Sequence, residues 1–98
     1  MEPVRIPLST LDADGRALVE VEGTEVAVFV VNGRPHALAN ACPHEGNPLH
    51  EGEILGDTLT CAFHGWKFDL DTGACLIGTE PARVFRVEIQ GDEVVVTS

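Results

Sequence analysis

The run from Glu25 to Val31 ends on Asn32-Gly33 and is followed by Arg34 to Asn40. No other stretch limits the fold so tightly. β-Branched and aromatic residues favour extended backbone, and Asn-Gly is the strongest short-range signal for a tight hairpin turn. An antiparallel pair is therefore predicted, with Arg34 to Asn40 as the return strand. Similar patterning recurs elsewhere. Val4, Ile6 and Leu8 alternate with Arg5 and Pro7, as in a half-buried strand near an edge. Asp14-Gly15 marks a turn before Ala17 to Glu22, in which Val19 and Val21 alternate with Glu20 and Glu22. Phe85, Val87 and Ile89 alternate with Arg86 and Glu88, and Gly91-Asp92 turns the chain into a last strand, Glu93 to Thr97. No segment of ten or more residues carries a 3.6-residue apolar repeat. The predicted class is all-β, a small antiparallel β-sandwich or partly open barrel.

Residues 41 to 80 break this pattern. They contain Cys42, Cys61 and Cys75, His44, His50 and His64, and six glycines that punctuate the segment. The reading is a metal-binding lobe inserted between strands of a β base. Leu49 to Leu55 and Asp57 to Cys61, broken at Gly56, are its expected hairpin. With 98 residues in all, the chain is read as one domain, 1–98, with the lobe at about 41–80.

Two motifs in the lobe mirror one another: Cys42-Pro43-His44 and Cys61-Ala62-Phe63-His64, with sixteen residues between His44 and Cys61. Each offers one thiolate and one imidazole and is followed by a glycine, Gly46 or Gly65. A lone Cys is often no more than a small buried apolar residue, but two such pairs are hard to assign to chance. Two Cys and two His also suit a tetrahedral zinc site. Zinc fingers, however, pair Cys with Cys and His with His, whereas here the types are mixed within each motif. A Rieske-type centre needs two Cys on one iron and two His on the other, and one Cys and one His from each of two loops satisfies that division. Cys75 lies outside both motifs and reads as structural. His36 and His50 have no partner at ligand spacing and read as non-ligands.

Sixteen acidic residues against six basic ones give a formal charge of −10. Nucleic acid and anionic membrane surfaces are poor partners for such a chain. In the lobe, Glu45, Glu51, Glu53, Asp57, Asp69, Asp71 and Glu80 face Lys67 alone, a net of −6, which points to a basic docking partner. Met1 to Leu8 has no apolar core of a signal peptide, and no stretch approaches a membrane span. Three cysteines do not form a disulfide framework, and a reducing cytoplasm is expected.

The segment CPHEGNPLHEGEILGDTLTCAFHGWKFDLDTGACL resembles the cluster-binding region of Rieske proteins. It is most similar to the ferredoxins of bacterial aromatic-ring-hydroxylating dioxygenases, with weaker similarity along most of the chain. The resemblance implies a β base with a smaller cluster-binding lobe. It also implies one [2Fe–2S] cluster, with Cys42 and Cys61 on one iron and His44 and His64 on the other. Neutral imidazoles in place of two thiolates make the site less negative, which eases the addition of an electron. Gly78-Thr79-Glu80-Pro81 resembles the proline-containing loop that covers the cluster in this family, and Trp66 and Phe68 flank the second motif as candidate shields or core aromatics.

High-potential Rieske proteins resemble the same motif but join their two loops by a disulfide; here the corresponding positions are Asn47 and Phe63. Those relatives also carry Ser and Tyr where this chain has Trp66 and Phe68. The implied role is a soluble electron carrier, not an enzyme by itself. It would be a monomer that takes single electrons from a flavin-dependent ferredoxin reductase and delivers them to a terminal oxygenase. Two alternatives remain open at this point: a small Rieske-type subunit of a nitrite reductase-like complex, and a zinc-binding interaction module.

Overall fold

The computed structural model describes residues 3–41, 48–62, 65–76 and 81–97. Nine strands form three antiparallel sheets of three strands each among these residues. The first sheet has the order β1-β9-β8, from Val4–Pro7, Glu93–Thr97 and Arg86–Gln90. The second has the order β2-β3-β4, from Arg16–Val21, Thr24–Val31 and Arg34–Ala39. The third has the order β5-β6-β7, from Glu53–Leu55, Thr58–Thr60 and Lys67–Asp69. The expected all-β class holds.

The turns explain the register. Asn32 and Gly33 have φ of 52° and 77°, the two positive values that a type I′ turn demands, and Val31 pairs with Arg34 across them. Glu22 and Gly23, with φ of 50° and 81°, do the same between β2 and β3, where Val21 pairs with Thr24. Strand β2 therefore stops one residue short of the expected Glu22. A left-handed Glu is uncommon, and alternation alone does not reveal it.

The apolar run of β3 has its own reason. Val26 and Val28 face one core, together with Val21, Ala37, Phe85, Val94 and Val96. Ala27 and Phe29 face a second, with Leu38, Leu49, Leu59, Phe68 and Leu70. The centre of β3 is thus buried on both faces, and a strand buried on both faces reads as continuous rather than alternating hydrophobicity. The β1-β9-β8 sheet covers one face and the lobe covers the other.

The two base sheets meet along β4. Leu38 bridges Val84, the Ala39 N–H donates to the Arg83 carbonyl, and the Phe85 N–H donates to the Ala37 carbonyl, at 2.8 and 2.9 Å. This gives the sandwich, open rather than closed into a barrel. The lobe differs from expectation at one end. Leu49–Glu51 is a 3-10 turn after Pro48, not the start of a hairpin arm, because Leu49 is drawn fully into the second core. The arms proper are β5 and β6, which turn at Gly56-Asp57.

Candidate metal centre

Of the four predicted ligands, Cys61 lies among the described residues; Cys42, His44 and His64 lie outside them, as do Asn47, Phe63 and residues 78 to 80. Cys61 follows β6 directly. Its N–H donates to the Trp66 carbonyl at 2.7 Å, and its own carbonyl accepts from the Gly65 N–H at 3.1 Å. These two bonds tie Cys61 to Gly65 and Trp66, the residues that follow His64 in sequence. Gly65 has φ of 71°, a conformation that costs other residues on the order of 1–2 kcal/mol. The glycine after the second motif thus has a backbone role.

The Cys61 side chain is 1% exposed and packs in the second core with Leu59, Phe68 and Leu70. Neither Cys61 nor Cys75 is in a disulfide. A thiol set in apolar surroundings is suited to a soft metal, because ligation is what makes a buried thiolate tolerable there. Trp66 packs partly buried against this core, its ring centroid 6.5 Å from that of Phe68 and tilted by 35°. Phe68 is fully buried. Both aromatics therefore belong to the wall behind Cys61.

Cys75 sits on the far edge of β7. It bridges Phe68, and the Leu76 N–H donates to the Lys67 carbonyl at 2.7 Å. The turn between is held by Asp69, whose Oδ1 accepts from the Asp71 and Thr72 N–H groups at 2.8 and 3.1 Å. This is a sheet-forming position, in keeping with a structural cysteine. Buried His36 on β4 places Nδ1 3.3 Å from Asp71 Oδ1, and Arg34 lies 3.6 Å from the other oxygen of Asp71. His36 therefore ties the base to the lobe. Among the described residues no three His, Cys, Asp or Glu side chains group as a metal site.

The chain on either side of the first motif is tethered to the base by groups that the sequence patterns do not single out. The Asn40 N–H donates to the Glu25 carbonyl at 2.8 Å. Its side chain donates from Nδ2 to Glu25 Oε1 at 2.8 Å and accepts from the His50 N–H at 2.7 Å. Arg16 Nη1 donates to the carbonyls of His50 and Gly52 at 2.7 and 2.6 Å. In sequence, Arg16 precedes the expected strand Ala17 to Glu22 and Asn40 reads as the end of a strand. Nothing in their spacing marks them.

Among the described residues no helix is long and apolar enough to cross a membrane. The Rieske [2Fe-2S] domain family matches residues 4–88. The ferredoxin component of the naphthalene 1,2-dioxygenase system of Pseudomonas aeruginosa is 32% identical over 80 residues, covering 80% of this chain and 77% of the relative. Several further relatives are much larger oxygenases or oxygenase components, of which the chain spans 20% or less. Among solved structures, the ferredoxin of carbazole 1,9a-dioxygenase from Nocardioides aromaticivorans IC177 superposes with a TM-score of 0.87 at 29% identity, covering 99% of this chain and 98% of that one. A chain in the complex of reduced oxygenase and oxidized ferredoxin of carbazole 1,9a-dioxygenase superposes with a TM-score of 0.84 at 31% identity, over 96% of this chain and 100% of that one.

Proposed function

Because the chain belongs to the Rieske [2Fe-2S] domain family, we propose that Cys42, His44, Cys61 and His64 hold one [2Fe–2S] cluster. Cys42 and Cys61 take one iron; His44 and His64 take the other. The protein is the ferredoxin component of an oxygenase system, an electron carrier rather than a catalyst. It receives electrons from a flavin-dependent ferredoxin reductase and passes them to a terminal oxygenase. It works as a free monomer in the cytoplasm.

The observation that carries this reading is the setting of Cys61: a buried thiol at the head of a hydrogen-bonded loop, within a fold shared over nearly its whole length with a dioxygenase ferredoxin. The complex of oxygenase with oxidized ferredoxin in the carbazole system supports the choice of acceptor. The donor set fits the group, since two thiolates and two imidazoles divide evenly between two irons. The cluster, when bound, stores and releases a single electron. The chain's own residues do the rest: Cys61 supplies a thiolate shielded from water by Leu59, Phe68 and Trp66, and the Cys61–Trp66 hydrogen bond holds that loop in place.

The test is visible absorption, EPR and metal content on the natively purified protein, with its elution volume. A Rieske spectrum, two irons per chain and monomeric elution are expected. A colourless protein with stoichiometric zinc would sink the cluster reading. Co-purification in a larger complex would replace the carrier by a fixed relay subunit.

A further inference from the structure

We infer that Asn40 is a positioning residue for the first ligand pair: clasped to Glu25 and to the His50 backbone, with Arg16 locking the far side, it fixes both ends of the segment that carries Cys42 and His44. The inference rests on the ligand reading above.

The geometry has three parts. Glu25 sits at the start of β3, and Asn40 follows β4 directly. Glu25 accepts from Asn40 twice, through its carbonyl and its Oε1, each at 2.8 Å. That anchors Asn40 to the base. The remaining polar atom of the Asn40 side chain, Oδ1, accepts from the His50 N–H at 2.7 Å. Asn40 lies two residues before Cys42, and His50 six residues after His44. One amide therefore ties the entrance of the motif to its exit. Only a side chain with both a donor and an acceptor can make this link, and Asn40 is 8% exposed, so water is a poor substitute.

Arg16 secures the exit from the opposite side. Its guanidinium lies 5.4 Å from the Phe29 ring centroid and donates to the His50 and Gly52 carbonyls. Bonds from an ionised donor are stronger than neutral ones. The 3-10 turn at Leu49–Glu51 is thereby held at its N–H by Asn40 and at its carbonyl by Arg16, with Leu49 sunk in the core. Ligands on a segment fixed at both ends are preorganised, and outer groups of this kind tune both metal retention and electronic environment.

The test compares wild-type holoprotein with Asn40→Ala, Asn40→Asp, Glu25→Ala and the double variant Glu25→Gln/Asn40→Asp. Glu25 is exposed, and its truncation leaves both cores untouched, so Glu25→Ala reports even where an Asn40 variant fails to fold. The readouts are EPR line width, the rate of iron loss to a chelator, and amide hydrogen exchange at His50. Asn40→Ala should broaden the EPR lines, speed iron loss and His50 exchange about tenfold, and leave exchange in β9 unchanged. Glu25→Ala should move the same readouts less. Asn40→Asp places a carboxylate against Glu25 and should be as severe; Gln at position 25 restores a donor to it, and the double variant should recover most of the loss. Wild-type values in Asn40→Ala and Glu25→Ala, or no recovery in the double variant, would overturn the clasp. A wild-type protein without a Rieske spectrum would instead overturn the ligand reading, while His50 exchange would still report on the clasp.

Discussion

Cys75 is bridged antiparallel to Phe68, so that its backbone lengthens the lobe sheet beyond β7. Cys61 stands on the other side of the Leu59–Phe68 pair, at the end of β6. The two cysteines share a sheet and differ in role. Cys61→Ser, like Cys42→Ser, is expected to abolish the visible and EPR spectrum and to destabilise the fold, because metal binding couples to folding. Cys75→Ser should leave the spectrum nearly unchanged. Spectral loss in Cys75→Ser with Cys42 dispensable would reverse the assignment.

Gly52 offers a packing test. A Cβ there would sit 2.4 Å from the Thr60 carbonyl oxygen and 2.8 Å from Leu59 Cδ1. The Thr60 carbonyl is backbone of β6, which leads into Cys61, so it does not yield without shifting that strand. Gly52→Ala should cost about 1–3 kcal/mol, and melting of the holoprotein should fall by roughly 4 °C or more. An unchanged melting temperature would show that β5 and β6 can spread freely.

The potential should lie near the low end of the Rieske range, on the order of −150 mV. The lobe's net charge of −6 opposes an added electron, and fully buried Phe68 has no hydroxyl to donate to sulfur. Phe68 and Cys61 pack in one apolar cluster, so Phe68→Tyr should raise the potential if the new hydroxyl reaches a sulfur. Protein-film voltammetry reads both values. A wild-type potential above about +100 mV contradicts the low-potential assignment.

Electron transfer to a basic partner should slow as salt rises, since exposed charges are screened within about 8 Å at physiological ionic strength. Stopped-flow rates from about 0.02 to 0.5 M salt measure this directly. A flat profile would count against electrostatic steering by the lobe.

Two hairpins of the base were legible because Asn32-Gly33 and Gly91-Asp92 are residue types that particular turn geometries demand, and the strands beside them alternate or run apolar. The lobe was legible as a cluster of Cys, His and Gly. The turn at Leu49–Glu51 was not, since a short apolar-polar stretch before Gly52 reads equally well as strand; what decides it is Leu49 entering a core built by distant residues. Arg16 and Asn40 were hidden for the same reason. Apart from the Glu25 carboxylate that Asn40 reaches, the partners of these two side chains are a backbone N–H and two carbonyls more distant in the chain, and backbone groups leave no trace in a residue pattern.

Ala39 and Arg83 are hydrogen-bonded neighbours, yet the whole lobe lies between them in sequence. The base therefore treats the lobe as the connection of one antiparallel pair, entered and left through a single gap one strand-spacing wide. Insertions or deletions inside that connection need not alter the register of Leu38 with Val84, and surface connections tolerate changes in length well. Evolution can thus enlarge, trim or recharge the lobe while the β base stays as it is. By the same topology, the lobe is a natural unit to graft onto another sandwich whose strand ends are similarly spaced.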